Sequence, residues 1–306
     1  MANGYKGKIL RINLTNQSIS TINTSDYEEY GGGLGIGTAI FWDLCADKLP
    51  FDAYDAKNVL CIMTSPMSGT IVPSMSGRTE ICGVGPQAYP TGLFSRSNFG
   101  GRFSGELKYA GWDGIVIEGA SSSPVWVNIV NDKVTFEDAS GLWGLDTFTA
   151  QQKIWDYVAD GQKYGDWLQK GTSLSSPRTT QRPAVLCTGP IGEALVPDMG
   201  CLVHDKGNGA GQSGFGSVFG SKKLKAISVV GTGSVEIADP KELYAARDWA
   251  MDYTRGFGVP MKPGPTAITR TMYARGAATE VQGPQGCMAC INPCRQRNKD
   301  GIGNES

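Results

Sequence analysis

The order of apolar and polar positions along the chain predicts an α+β fold. Lys8–Leu14 and Gln17–Ile22 are strand-like on either side of Thr15-Asn16, the pattern of a β-hairpin. Val125–Val130 and Lys133–Glu137 repeat that pattern across Asn131-Asp132. Gly31–Gly37 leads into a short helix that ends near Leu49-Pro50. Thr147–Val158 sets Phe148, Ile154, Trp155 and Val158 at helical spacing. Asp239-Pro240 offers an N-cap followed by proline at the first helical position, so a helix runs from there to about Arg255. Residues 160–182 are polar and predict an exposed loop, and residues 256–286 are broken by Gly and Pro.

A repeat organises these elements. Val59-Leu60-Cys61 is followed by Pro66, Gly69 and Val72-Pro73, and Val185-Leu186-Cys187 by Pro190, Gly192 and Val196-Pro197. Each copy then reaches an Asn that opens a glycine loop, Asn98-Phe-Gly100-Gly101 in one and Asn208-Gly209-Ala-Gly211 in the other. A short helix and a strand close each unit, Gly114–Glu118 and Ala226–Val230. Two such halves predict a site for two copies of one group, or for one two-fold ligand.

Composition narrows the class. Hydrophobic residues make up 40% and charged residues 19%, which fits a packed core and excludes disorder. The net charge of −1 offers no basic field for nucleic acid. The 42 glycines are about twice the usual share and point to turns or to backbone approaching a ligand. No apolar run reaches the ~20 residues of a membrane span. No leader-like stretch opens the sequence, which predicts a cytoplasmic protein with reduced thiols.

Four sets of residues carry candidate chemistry. Glycine loops before a helix expose backbone N–H groups that suit phosphate. Gly209-Ala-Gly211-Gln-Ser-Gly214 formally matches the dinucleotide fingerprint, but the short Lys-rich helix after it argues against that site. Arg78 is a candidate anion clamp through its planar guanidinium. The lone histidine, His204, excludes His-rich metal sites and predicts a structural role. Cys45, Cys61, Cys82, Cys187 and Cys201 are scattered and predict small core residues. Cys287-Met-Ala-Cys290-Ile-Asn-Pro-Cys294 differs: three thiolates this close predict metal ligation, with an iron–sulfur cluster favoured over zinc. The chain stops twelve residues later without a fourth ligand, which predicts a segment beyond it, lost from a fragment or hidden behind a recoded stop.

Taken in order, Met1-Ala-Asn-Gly-Tyr-Lys-Gly-Lys-Ile-Leu-Arg-Ile-Asn-Leu-Thr, Asn98-x-Gly-Gly, Glu106-Leu-Lys-Tyr-Ala-Gly-Trp-Asp, Gly220-Ser-Lys-Lys-Leu-Lys-Ala-Ile and the cysteine run resemble the N-terminal half of the aldehyde ferredoxin oxidoreductases. The resemblance implies a duplicated β-sheet domain over residues 1–235 that cradles a tungsten or molybdenum bis-pterin. Residues 236–306 would begin a helical domain. It implies that Arg78, Gly100, Asn208 and Gly211 contact the pterin phosphates, and that Asn98 and the Gly209 carbonyl hold a bridging Mg2+. Some relatives carry Arg where this chain has Asn208, which weakens that phosphate contact. Cys287, Cys290 and Cys294 would be three ligands of a [4Fe-4S] cluster. The implied activity is oxidation of an aldehyde to an acid, with ferredoxin or an iron–sulfur subunit as acceptor. It also implies that the helical C-terminal half supplies the catalytic groups, so these residues alone would be inactive. A standalone electron-transfer subunit of a split oxidoreductase is the alternative.

Overall fold

The computed structural model describes residues 3–87, 93–161, 182–205, 207–256, 280–291 and 295–299. A first unit runs β1 (Lys8–Asn13), β2 (Ser18–Asn23), α1 (Leu34–Cys45), β3 (Leu60–Met63), β4 (Thr79–Val84), β5 (Phe94–Phe99), α2 (Phe103–Tyr109) and β6 (Gly114–Glu118). A second runs β7 (Val125–Val130), β8 (Lys133–Asp138), α3 (Thr147–Gly161), β9 (Ala184–Thr188), one turn of α4 (Pro190–Glu193), β10 (Leu202–His204), β11 (Asn208–Ala210), α5 (Phe215–Ser221) and β12 (Leu224–Val230). Helix α6 (Pro240–Gly256) and a hairpin of β13 (Glu280–Gln285) and β14 (Arg295–Lys299) follow. Both expected hairpins form, and Asp239 Oδ1 caps α6 by accepting the Lys241 and Glu242 N–H groups at 2.9 and 3.0 Å. Most of the loop expected over 160–182 lies outside the described residues.

The duplication is topological. The first sheet has the order β2-β1-β6-β3-β4-β5, and the second β8-β7-β12-β9-β10-β11. Replacing each of β1–β6 by the strand six places later converts one order into the other. In both, only the pair joining the first and last strands of the unit is parallel, β1 with β6 and β7 with β12. The fold is therefore α+β with two mixed sheets, as the sequence predicts.

The two Asn-Gly segments do not superpose, however. Cys61 pairs with Cys82 and Cys187 with Val203, while Ile81 pairs with Ser97 and Leu202 with Ala210. Counted along these matched ladders, Asn98 falls against Gly211, and Asn208 lies three positions earlier. Both asparagines also sit on edge strands and not in loops.

Side-chain alternation explains the layering. Leu10, Ile12, Leu60 and Ile62 of the first sheet join Val127, Ile129, Leu186 and Val229 of the second in one shared core. The short helices α2 and α5 are buried in it through Phe103, Leu107, Phe215 and Phe219. The alternate residues Ile9, Cys61, Met63 and Val116 face outward beneath α1. Trp126, Val185, Cys187 and Ala226 do the same beneath α3. Central strands are thus covered on both faces, and β3, β9 and β12 are buried at every position. Cys45, Cys61, Cys82 and Cys187 are buried core residues, and Cys201 is half-buried.

Two buried ion pairs brace the last strand of each unit, Lys108 with Asp113 before β6 and Lys225 of β12 with Glu193. Asp113 also accepts the Lys6 and Gly7 N–H groups, at 2.9 and 2.8 Å, and the Thr24 hydroxyl at 2.7 Å. That one carboxylate fastens the N-terminal segment to the sheet. Among the described residues, no helix is long and apolar enough to cross a membrane.

Candidate functional site

The edge strands β5 and β11 belong to different sheets and pack against each other. Around this seam the structure gathers most of the residues singled out by the sequence.

On the first unit's side, Arg78 enters β4 with an exposed side chain, and its Nη1 donates to Asn98 Oδ1 at 2.9 Å. Glu80 stands directly across the ladder from Asn98. Its Oε1 lies 3.7 Å from Arg96, and its Oε2 is buried without a hydrogen-bond partner. Burial raises the Glu80 carboxyl above the ordinary range, against the opposing pull of Arg96 and Arg78. Arg78, Glu80, Met67 and Met75 line a cavity of about 190 Å³ beside the start of α1.

Cys287-Met288, the start of the cysteine run, sits in a socket of glycines. A Cβ on Gly100 would overlap Cys287 Sγ and stand 3.0 Å from Asn208 Oδ1. One on Gly77 would come within 2.9 Å of the Met288 nitrogen, and one on Gly105 within 2.8 Å of the Met288 Cε. At Gly100 and Gly105 the space a side chain would need is filled by Cys287 and Met288, and at Gly77 by Gly101 O together with the Met288 nitrogen. The Met288 N–H donates to Gly101 O at 2.9 Å, and Cys287 Sγ lies 3.6 Å from Asn208 Oδ1. Ala289, at φ 54, closes a turn in which the Cys290 N–H donates to Cys287 O at 3.1 Å. Arg247 of α6 clamps the loop from outside, donating to Ile71 O at 2.6 Å and Ala289 O at 3.0 Å.

Behind the socket lies a polar knot between the two units. His204 is fully buried, with Nδ1 2.8 Å from Val185 O and Nε2 3.2 Å from the Arg102 nitrogen. Only the neutral ring with its proton on Nδ1 satisfies both bonds. Burial lowers the pKa of His204, in keeping with that neutral ring. The Arg102 guanidinium reaches Arg182 O and Pro183 O, each at 2.6 Å, and Asp205 at 3.3 Å. Burial alone would raise Asp205, but the adjacent His204 ring, 3.3 Å away, and the guanidinium groups of Arg102 and Arg182 together outweigh it and hold the carboxyl below its usual range.

The structure thus brings Arg78 to Asn98, and Asn208 and Cys287 to Gly100. Gly209 and Gly211 are exposed on and just beyond β11, and nothing lies closer than 3.8 and 3.6 Å to where their Cβ atoms would be. Their backbone is open to a ligand, whereas Gly100 is occupied by the protein itself. Cys287 and Cys290 are half-buried free thiols, and Cys294 lies outside the described residues. Sequence reasoning missed Glu80, Arg102 and Met288. Arg102 follows a glycine pair at the start of a helix, the one local signal that marked it. His204 is structural, as the sequence predicts.

The seam between the two sheets carries glycines, an exposed arginine and two free thiols. The chain belongs to the family described as aldehyde ferredoxin oxidoreductase, N-terminal domain, whose model matches residues 9–231. It is 34% identical over 245 residues to the tungsten-containing aldehyde ferredoxin oxidoreductase of Thermococcus kodakarensis, covering 78% of this chain and 35% of that protein. It is 31% identical over 243 residues to the aliphatic sulfonate oxidoreductase, WOR-like subunit, of Pyrococcus furiosus, covering 78% and 36%. Among solved structures it resembles the active-site complex BamBC of benzoyl coenzyme A reductase, with a TM-score of 0.71, 29% identity, and coverage of 86% of this chain and 36% of that one. The chain spans about a third of the length of these relatives.

Proposed function

We propose that this chain is the cofactor-holding part of a tungsten- or molybdenum-pterin oxidoreductase that oxidises an aldehyde to a carboxylic acid. Its cofactor residues would be Arg78, Asn98, Asn208, Gly209 and Gly211, while Gly100, whose free side is filled by Cys287, would serve as the seat of that thiol. The observation that carries this is the contact of Cys287 with Gly100 and Asn208, which joins a cysteine run to a glycine seam.

The residues present fit the groups. Arg78 offers an exposed guanidinium for a phosphate, oriented by its bond to Asn98. Gly209 and Gly211 leave backbone accessible where a second phosphate needs close approach. Asn98 and the Gly209 carbonyl supply the neutral oxygens that Mg2+ takes alongside phosphate. Cys287 and Cys290, on one tight turn, supply two free thiols, and Cys294 would add the third for a [4Fe-4S] cluster. When bound, the metal–pterin group would supply two-electron chemistry at a carbonyl and the cluster one-electron transfer, with a ferredoxin-type acceptor as partner. The chain's own part would be to fix both groups at one seam.

The test is metal analysis of the complete protein, made anaerobically in a host that synthesises tungsten- and molybdenum-pterins. Iron together with tungsten or molybdenum is expected. Cys287→Ser should lose most of the iron, and Arg78→Ala should lose pterin while keeping it. Wild-type protein free of iron and of both heavier metals would overturn the proposal.

A further inference from the structure

We propose that His204 is a positioning residue that sets the glycine seam and the cysteine loop in fixed register, an inference resting on the assignment of Cys287 as a cluster ligand. The peptide unit between Gly101 and Arg102 carries the connection. Its N–H is held by His204 Nε2 at 3.2 Å, and its C=O receives the Met288 N–H at 2.9 Å. A trans peptide is planar and points its N–H and C=O in opposite directions. Anchoring one end therefore aims the other.

On the Arg102 side the chain is anchored, with Arg102 O accepting the Glu106 N–H at 3.0 Å and the guanidinium tied to Arg182 O and Pro183 O, so the adjustable side of that plane is Gly101. Gly101 has φ +105, a conformation of low cost for glycine, and glycine also permits the alternatives. The imidazole prevents them by packing. A Cβ at Gly101 would stand 2.7 Å from His204 Nε2 and 2.9 Å from Asn208 Nδ2, so ring and backbone are in close contact. The ring is itself fixed, since Nδ1 is committed to Val185 O at 2.8 Å and the imidazole packs against Phe99 (tilted) and Phe103 (edge-on), each with centroids 5.7 Å away. A rigid strand of the second unit thus orients a flexible peptide of the first, and that peptide seats Met288 and with it Cys287.

Two substitutions separate this role from simple support. The side chain of His204→Asn is long enough to keep the bond to Val185 O but too short to accept from Arg102. His204→Gln places an amide oxygen near the position of Nε2. Hydrogen–deuterium exchange on the complete protein reads the result. In His204→Asn the amides of Arg102 and Met288 are expected to exchange about tenfold faster together, and in His204→Gln to stay within about threefold of wild type. Amides of β1, β6 and α1 should not change in either. Acceleration at Arg102 with Met288 unaffected overturns the inference, and so does equal acceleration across the whole fold. Iron content keeps the two assignments apart. Protein without iron sinks the cluster assignment while the exchange test still stands, and iron-loaded protein whose Met288 ignores His204 sinks this inference alone.

Discussion

Gly105 offers the sharpest test of the socket, because its substitution should change sign with the residue at 288. A Cβ on Gly105 would meet the Met288 side chain, with Cε at 2.8 Å and the sulfur closer still. Ordinary contact is about 3.5–4.0 Å, so the thioether must move by about 1 Å. Overpacking of that size costs about 1–3 kcal/mol. Against it, replacing glycine by alanine within α2 gains about 0.5–1 kcal/mol. Gly105→Ala alone should therefore be destabilising by about 0.5–2 kcal/mol. In a Met288→Ala background the obstructing atoms are gone and only the helix gain remains, so the same change should stabilise. The coupling energy, about 1–3 kcal/mol, is measured by urea unfolding of the four proteins of the cycle. If Gly105→Ala stabilises equally in both backgrounds, Met288 does not occupy that space and the socket is wrong.

Other outcomes follow from the same packing. Gly101→Ala combines a φ of +105 with a Cβ directed into His204, and should cost about 2–4 kcal/mol, whereas Gly209→Ala, with open space, should cost under about 1 kcal/mol by the same unfolding assay. Asp113→Ala would strand the fully buried Lys108, whose pKa burial already pulls down, and should cost about 3–5 kcal/mol. Lys222 is fully buried, donates to Gly119 O at 2.9 Å, and is lowered by burial from 10.5 to about 8. Between these values the unfolded chain holds the proton that the folded one has released, so stability should rise with pH from about 8 to 10.5. Lys222→Met should reduce that slope in unfolding curves taken across the window, leaving the part that Lys108 contributes.

Local chemistry made part of the molecule legible. The hairpins at Thr15-Asn16 and Asn131-Asp132 form because strand patterning and turn residues agree within a few positions. The α6 cap forms because Asp239 reaches two N–H groups of its own first turn. The repeat was visible in spaced Pro and Gly residues, and the matching strand orders of the two sheets bear it out. Its fine register was not visible. Asn208-Gly-Ala210 is too short to show a strand period, so only its ladder with Leu202–His204 places Asn208 three positions from the equivalent of Asn98.

The sequence by itself determined the alternation of strands and helices, the duplication, and the identity of the chemical groups available, because each is written in neighbouring residues. Only the tertiary structure decided where those groups meet. Gly77, Gly100 and Gly105 lie far from Cys287 and Met288 in the chain, and nothing in their own neighbourhood says what fills the room they leave. Arg102 and His204 stand 102 residues apart and meet through a backbone amide that any residue but proline would supply. Such contacts are set by close packing between two finished sheets, and local periodicity carries no record of it.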